Sequence, residues 1–190
     1  MNSDYKLTLQ NRSINDAEPE VKNVLSDTEQ NMGFIPNMYA AMANAPILLN
    51  TYATGYKLFR EQSGFSAVEQ EVIFLAISRE NECDYCMAAH SFVADEVSNV
   101  DKEITDAIRN DEEIADSTLA ALVSFTKIMV KTRGLPSVSD VEAFIAAGYS
   151  EIRVLEIIQA ISVKTISNYS NHLFHTKLDD VFEGSQWSSG

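Results

Sequence analysis

Few residues in this chain can turn it. Gly and Pro together supply 11 of its 190 residues, about half the usual share. All-β folds consume both at their many turns, so the scarcity favours helices. The few breakers also sit between stretches of helical period. Pro19, Gly33, Pro36, Pro46, Gly64, Gly134, Pro136 and Gly148 punctuate the chain. No stretch between them alternates apolar and polar residues as a half-buried strand does. The fold class expected is therefore all-α.

The punctuation outlines the helices. A first one is expected from Ala17 to Met32, with Pro19 in its first turn and Gly33 as its stop. Asn37 is expected to cap a short helix to Ala43, and Pro46 opens a longer one toward Gln62. Ser66 and Glu69 have capping-box spacing, in which the Ser hydroxyl and the Glu carboxylate each satisfy the other's backbone amide. Behind them Val68, Val72, Leu75 and Ala76 recur at helical period, ending near Arg79–Asn81. Further helices are expected from Tyr85 to Glu96, around Ile104 and Ile108, and from Leu119 to Met129. Ser139 to Glu142 repeats the capping-box pattern. From Ser150 to Phe182 the chain reads as one long helix or two in line. Its apolar residues include Ile152, Leu155, Ile158, Ile161, Ile166, Tyr169, Leu173 and Leu178. That helix is a candidate for subunit contact, with packing inside its own chain as the competing reading. Met32, Met38 and Met42 read as core.

Length fits one domain, at roughly 150 residues each. It is read as residues 16–183, with an arm over 1–15 and a polar tail over 184–190 that carries Trp187. A domain of this size buries about 70% of its extended-chain surface and needs no disulfide staples. Acidic residues outnumber basic ones 28 to 14, for a net charge of −14. No basic patch offers itself to phosphate, so nucleic acid and anionic membranes are not expected partners. The first ten residues, MNSDYKLTLQ, lack the cationic start and apolar stretch of a secretory signal. No apolar run approaches the roughly 20 residues that span a bilayer. The expectation is a soluble, cytoplasmic protein.

Chemistry concentrates in one segment. Cys83 and Cys86 are the only cysteines, and His90 follows four residues later. On a helix these spacings place all three side chains on one face. A helix start favours thiolate over thiol, and the thiolate is the nucleophile. His90 accepts a proton from Cys86 or stabilises its thiolate, while Asp84 opposes ionisation. Such a pair attacks an O–O bond through one thiolate, condenses the sulfenic acid with the other thiol, and is restored by an external thiol. A thioredoxin reading needs a βαβ context that the chain lacks.

The segment Glu80, Cys83, Cys86, His90 has the spacing E-x2-C-x2-C-x3-H. In this it resembles the alkylhydroperoxidase AhpD and carboxymuconolactone decarboxylase family. The run from Cys83 through Tyr85 to His90, with Gly33 to Asn37 and the Pro46 helix upstream, is similar to its peroxidase-related branch. The resemblance spans about residues 18–180 and is strong over 66–92. It implies an AhpD-like helical bundle assembled as a homo-oligomer, with an antioxidant peroxidase activity that needs no cofactor. It assigns Cys86 as the peroxidatic thiol, Cys83 as the resolving thiol, His90 as the proton-relay residue and Glu71 as the catalytic carboxylate. The partners it implies are a hydroperoxide substrate and a thiol or dithiol reductant. Family members carry a His where this chain has Tyr85. A phenol can line the site and hydrogen-bond, but does not relay protons at neutral pH as imidazole does.

Two other functions remain open on sequence. A lactone decarboxylase-like enzyme needs a cationic pocket, for which Arg60, Arg79 and Arg153 are candidates. A non-catalytic redox-sensing oligomer needs only the dithiol. His172 and His175 share a helical face, but nothing in the sequence brings them to the cysteines, and no metal is assigned. Glu69, Glu71, Glu80 and Glu82 each have a solvated-face reading beside the functional one.

Overall fold

The computed structural model describes residues 2–188. Nine α-helices and a closing 3-10 turn follow one another, and no strand occurs among the described residues. The helices are α1 (Pro19–Met32), α2 (Asn37–Met42), α3 (Pro46–Gln62), α4 (Ala67–Glu80), α5 (Asp84–Glu96), α6 (Lys102–Asn110), α7 (Ser117–Lys131), α8 (Val138–Ala146) and α9 (Glu151–Phe174). The 3-10 turn spans Asp180–Ser185.

Helix α4 occupies the centre. It packs against α5, α6, α7 and α9, and every residue from Gln70 to Ser78 is buried. Its start is the expected capping box. Ser66 Oγ accepts from the Glu69 amide at 3.3 Å, and Glu69 Oε2 accepts from the Ser66 amide at 2.7 Å. Two apolar clusters flank it. The larger joins α4 to α6, α7 and α8, with Phe125, Phe144 and Tyr149 stacked. The smaller joins α1, α2 and α3 to the start of α5 and includes both cysteines. Gly55 lets α3 lie close on α9, since a Cβ there would meet Val163 at 3.0 Å and Gln159 at 3.1 Å.

Several boundaries differ from the sequence reading. Asn37 is the first residue of α2 rather than its cap, and its side chain donates to the Lys177 carbonyl. The second capping box is Ser137–Asp140, not Ser139–Glu142, because Ser137 directly precedes the helical turn whose amides need partners. The long helix stops at Phe174, where His175 takes a left-handed conformation with φ 49°. Met32 is exposed, while Met38 and Met42 are core.

Helix α9 divides its apolar residues between an outward and an inward face. Ile152, Leu155, Ile158, Tyr169 and Leu173, among the residues that marked it as helical, face outward. Its buried face is Ile157, Ala160, Val163, Lys164, Ser167, Asn168 and Asn171. The termini fold back on the body. Ser3 and Leu7 amides donate to the carbonyls of His172 and Leu173. The Trp187 indole donates to the Arg109 carbonyl at 3.0 Å. Of the segment read as a tail, Ser189 and Gly190 lie outside the described residues.

Loss of a capping hydroxyl typically costs about 1 kcal/mol. Ser66→Ala should therefore lower the unfolding free energy by about that amount in a urea titration, with the m-value unchanged.

Candidate functional site

The α4–α5 corner is built by a tight turn. Glu82 adopts φ 55°, and the Cys83 amide donates back to the Ser78 carbonyl at 2.9 Å. Cys83 is the N-cap of α5, which puts Cys86 in that helix's first turn. Amides there lack intrahelical partners, so the local field favours a negative sulfur. The two thiols are free and buried, with relative exposures of 1% and 2%.

Helix α9 supplies the opposite wall. Asn171 Nδ2 donates to Cys86 Sγ at 3.2 Å and reaches Cys83 Sγ at 3.8 Å. Ser167 Oγ lies 3.8 Å from Cys86 Sγ. One turn earlier, Lys164 is fully buried, with its ammonium 5.6 Å from the Phe74 ring centroid. Burial pushes the Cys86 thiol up. The Cys83 thiol hydrogen bond, the Lys164 charge, His90 and Ser167 outweigh it, so Cys86 sits well below the ordinary thiol range. Cys83 moves the other way, raised by burial and by its bond to the neighbouring sulfur. The two thiols are thus driven in opposite directions by their surroundings.

Behind them stands a second polar pair. Glu71, on α4, has 0% exposure and is not on a solvated face. Its Oε2 meets His90 Nδ1 at 2.8 Å, and its Oε1 receives the Arg60 guanidinium. Arg60 also donates to Tyr56 and Gln70. Burial pushes the Glu71 carboxyl up, but His90 and Arg60 overcome it and hold it below the ordinary carboxylate value. Burial, with Lys164, pushes His90 down despite the carboxylate. The neutral ring spends its Nδ1 proton on Glu71, which leaves Nε2 as its basic nitrogen.

A cavity of about 210 Å³ opens beside this corner. Cys83, Asp84, Tyr85, Asn171, His172 and Trp187 are among its lining. Cys86 is not among the residues that line it. The Tyr85 hydroxyl donates to Asp179 Oδ2 at 2.5 Å, which ties α5 to the C-terminal segment. Glu80 turns away to α7 and pairs with Lys131 at 3.2 Å. The three arginines do not converge. Arg79 bonds the Arg109 carbonyl and pairs with Asp111, and Arg153 pairs with Glu156. His175 bonds the Ser3 carbonyl, and His172 alone of that pair borders the cavity. Among the described residues, no cluster of His, Cys, Asp and Glu has the arrangement of a metal site.

Sequence reasoning missed the α9 residues Lys164, Ser167 and Asn171. With Asn168 they recur at i, i+3, i+4 and i+7, a polar stripe on a helix rich in isoleucine and leucine. That stripe was a legible signal.

Fold and site together define a class: all-helical proteins built around a buried Cys-x2-Cys pair. The carboxymuconolactone decarboxylase family model matches residues 48–127, which run from α3 into α7 and contain the pair. The fold is shared with a peroxidase-related protein from Ralstonia eutropha JMP134 that has an alkylhydroperoxidase AhpD core. The TM-score is 0.81 at 18% identity, covering 92% of this chain and 93% of that one. A peroxidase-related protein from Silicibacter sp. TM1040 gives 0.80 at 18%, over 97% of each chain. The debrominase Bmp8, as a cysteine-to-alanine variant in complex with 2,3,4-tribromopyrrole, gives 0.78 at 18%, over 95% and 96%. No curated protein matches the chain. The chain is thus similar to the carboxymuconolactone decarboxylase family over residues 48–127 and shares the AhpD-like helical fold.

Two measurements check the buried pair. Removing one partner of a buried ion pair typically costs 3–5 kcal/mol, roughly, so Arg60→Met should lower stability by about that much in denaturant. Both His90 and Glu71 titrate lower in the folded protein than unfolded. Their stabilisation is present above the unfolded values and is lost on acidification. Unfolding free energy should therefore fall more steeply below about pH 6.5, then again below about pH 4.5; stability that is level across that range would contradict the buried arrangement.

Proposed function

We propose that this protein is a thiol-dependent hydroperoxide reductase. The observation that carries the reading is the asymmetry of the cysteine pair. Asn171 donates to Cys86 Sγ at 3.2 Å at a helix start, which draws that thiol below its ordinary range, while burial raises the Cys83 thiol. A thiolate attacks while a protonated thiol waits, which is the division of labour that a peroxide cycle needs. Cys86 Sγ attacks the terminal peroxide oxygen and the O–O bond breaks. The alkoxide leaves with a proton as alcohol, and the sulfur becomes a sulfenic acid. The Cys83 thiol then displaces water to close the disulfide. His90, oriented by Glu71, presents Nε2 to manage the proton released from Cys83. Tyr85 serves as cavity wall.

The cavity suits the return half. An external thiolate entering it meets Cys83 before Cys86. Attack on Cys83 Sγ expels Cys86 as the leaving thiolate, and the lower-pKa thiol leaves faster. A dithiol then completes reduction. The same burial of Cys86 favours small hydroperoxides over bulky ones. A homo-oligomer and a cytoplasmic setting belong to the same proposal. No described helix is long and apolar enough to cross a membrane.

One equivalent of organic hydroperoxide should take the reduced protein from two free thiols to none, with an intact-mass change of an internal disulfide. Cys83→Ser should consume one equivalent and stop at the sulfenic acid. Full turnover by Cys86→Ser would sink the assignment. A parallel sample with 2,3,4-tribromopyrrole tests the other chemistry: disulfide formation with bromide release, and none with peroxide, would replace peroxide reduction by reductive debromination.

A further inference from the structure

Buried polar atoms without partners are scarce in folded proteins, because each one forfeits its hydration. Three of them meet at one place in this molecule. Asn171 Oδ1, His172 Nε2 and Thr176 Oγ1 are shielded from the surface and have no hydrogen-bond partner among the described residues. All three residues line the cavity that reaches Cys83, and Asn171 is buried as a whole.

The chemistry of these atoms is set by what their neighbours on the same side chain already do. Asn171 spends Nδ2 on the two sulfurs, so Oδ1 is left as an acceptor only. The His172 ring bonds the Glu82 carbonyl and is pushed toward its neutral form by burial. A neutral imidazole that donates through one nitrogen accepts at the other, here Nε2. The Thr176 hydroxyl can donate or accept. The cavity thus offers two acceptors and one donor. A ligand that displaces water from such a place must return the same hydrogen bonds. A secondary amide does so, with an N–H for the acceptors and a carbonyl for the Thr176 hydroxyl. An ester has no N–H to give, and an ammonium has no acceptor for the hydroxyl.

Position ties this amide to sulfur chemistry. Cys83 Sγ lies 3.8 Å from Asn171 Nδ2, and Oδ1 sits on the same carboxamide carbon. A thiolate that attacks Cys83 Sγ brings a nitrogen three bonds from its own sulfur into reach of that oxygen. The cavity measures about 210 Å³, against roughly 30 Å³ for each water in the liquid, so it admits a ligand of several non-hydrogen atoms. Leu178 and Trp187 supply an apolar wall for a short acyl group.

We propose that this cavity is the reductant's docking site and that it selects an N-acyl aminothiol, with the amide N–H received by Asn171 Oδ1 and His172 Nε2 and the amide carbonyl by the Thr176 hydroxyl. The inference rests on the dithiol cycle proposed above and names the class of thiol that restores it. The aminothiol's thiolate attacks Cys83 Sγ, the Sγ–Sγ bond breaks, and its electron pair leaves with Cys86. A second thiol attacks the outer sulfur of the mixed disulfide and frees Cys83. The external thiols thus give two electrons and two protons to the protein pair and end as a disulfide themselves.

The test compares two thiols of nearly the same shape, N-acetylcysteamine and 2-mercaptoethyl acetate, which differ in an amide N–H against an ester oxygen. The protein disulfide is made with diamide, so the result does not depend on peroxide chemistry. Second-order rate constants for its reduction are divided by those of the same thiols on hydroxyethyl disulfide, which removes their intrinsic nucleophilicity. The amide should lead the ester by about tenfold or more in this corrected ratio, the effect expected when a buried acceptor is paired rather than left bare. His172→Phe and Thr176→Val should each bring the ratio down toward one, and His172→Gln, which keeps an acceptor, should retain part of it. Equal corrected rates for the two thiols would overturn the proposal, since water alone would then meet the acceptors. A preference unchanged in both His172→Phe and Thr176→Val would overturn it as well. A chain that forms no disulfide with diamide or with peroxide would instead refute the dithiol reading, and this inference with it. The unmodified protein decides the first point by itself, so a variant that misfolds does not blunt the test.

Discussion

The structure turns on a carboxylate in the middle of its central helix. Glu71 lies where α4 has no exposed face, and an ion placed there forfeits its hydration. Its cost is met from both sides, by the Arg60 guanidinium of α3 and the His90 imidazole of α5. Those contacts set the position of α3 and α5 on α4. They also orient the His90 ring and assign its proton to Nδ1. Stability and chemistry thus share one interaction, because the partner that neutralises the carboxylate is the group left with a basic nitrogen.

The cysteines take their difference from another wall of the site. Both lie at the same helix end and both are buried, so neither the helix field nor desolvation alone separates them. Separation comes from α9. Asn171 donates most closely to Cys86, Ser167 stands beside the same sulfur, and Lys164 adds charge one turn back. The cavity meets Cys83 instead.

Lys164 is fully buried on the α9 face that also presents Ser167 and Asn171 to Cys86. Low polarity strengthens the attraction between ammonium and thiolate, and equally penalises either one alone. The closing C-terminal segment helps keep water out, since Tyr85 ties it to α5 and Arg109 holds the Ser185 and Gln186 carbonyls.

Much of this was written locally. Helix positions followed from Pro19, Gly33, Pro46 and the Ser66–Glu69 box because caps and breakers act within a few residues of themselves. The Cys83, Cys86, His90 face followed from spacing on a single helix. Depth did not follow. Glu71 between Glu69 and Val72 reads like any polar helix position, and only its placement under α3 and α5 makes it an internal ion. The α9 pattern pointed to a helix and left open which face is buried; Ile152, Leu155 and Ile158 lie outward while the polar stripe of Lys164, Ser167 and Asn171 turns in. Spacing determines which residues share a face. Which face is buried, and which charges must then balance one another, depends on packing between segments some eighty residues apart, and the tertiary structure alone decides it.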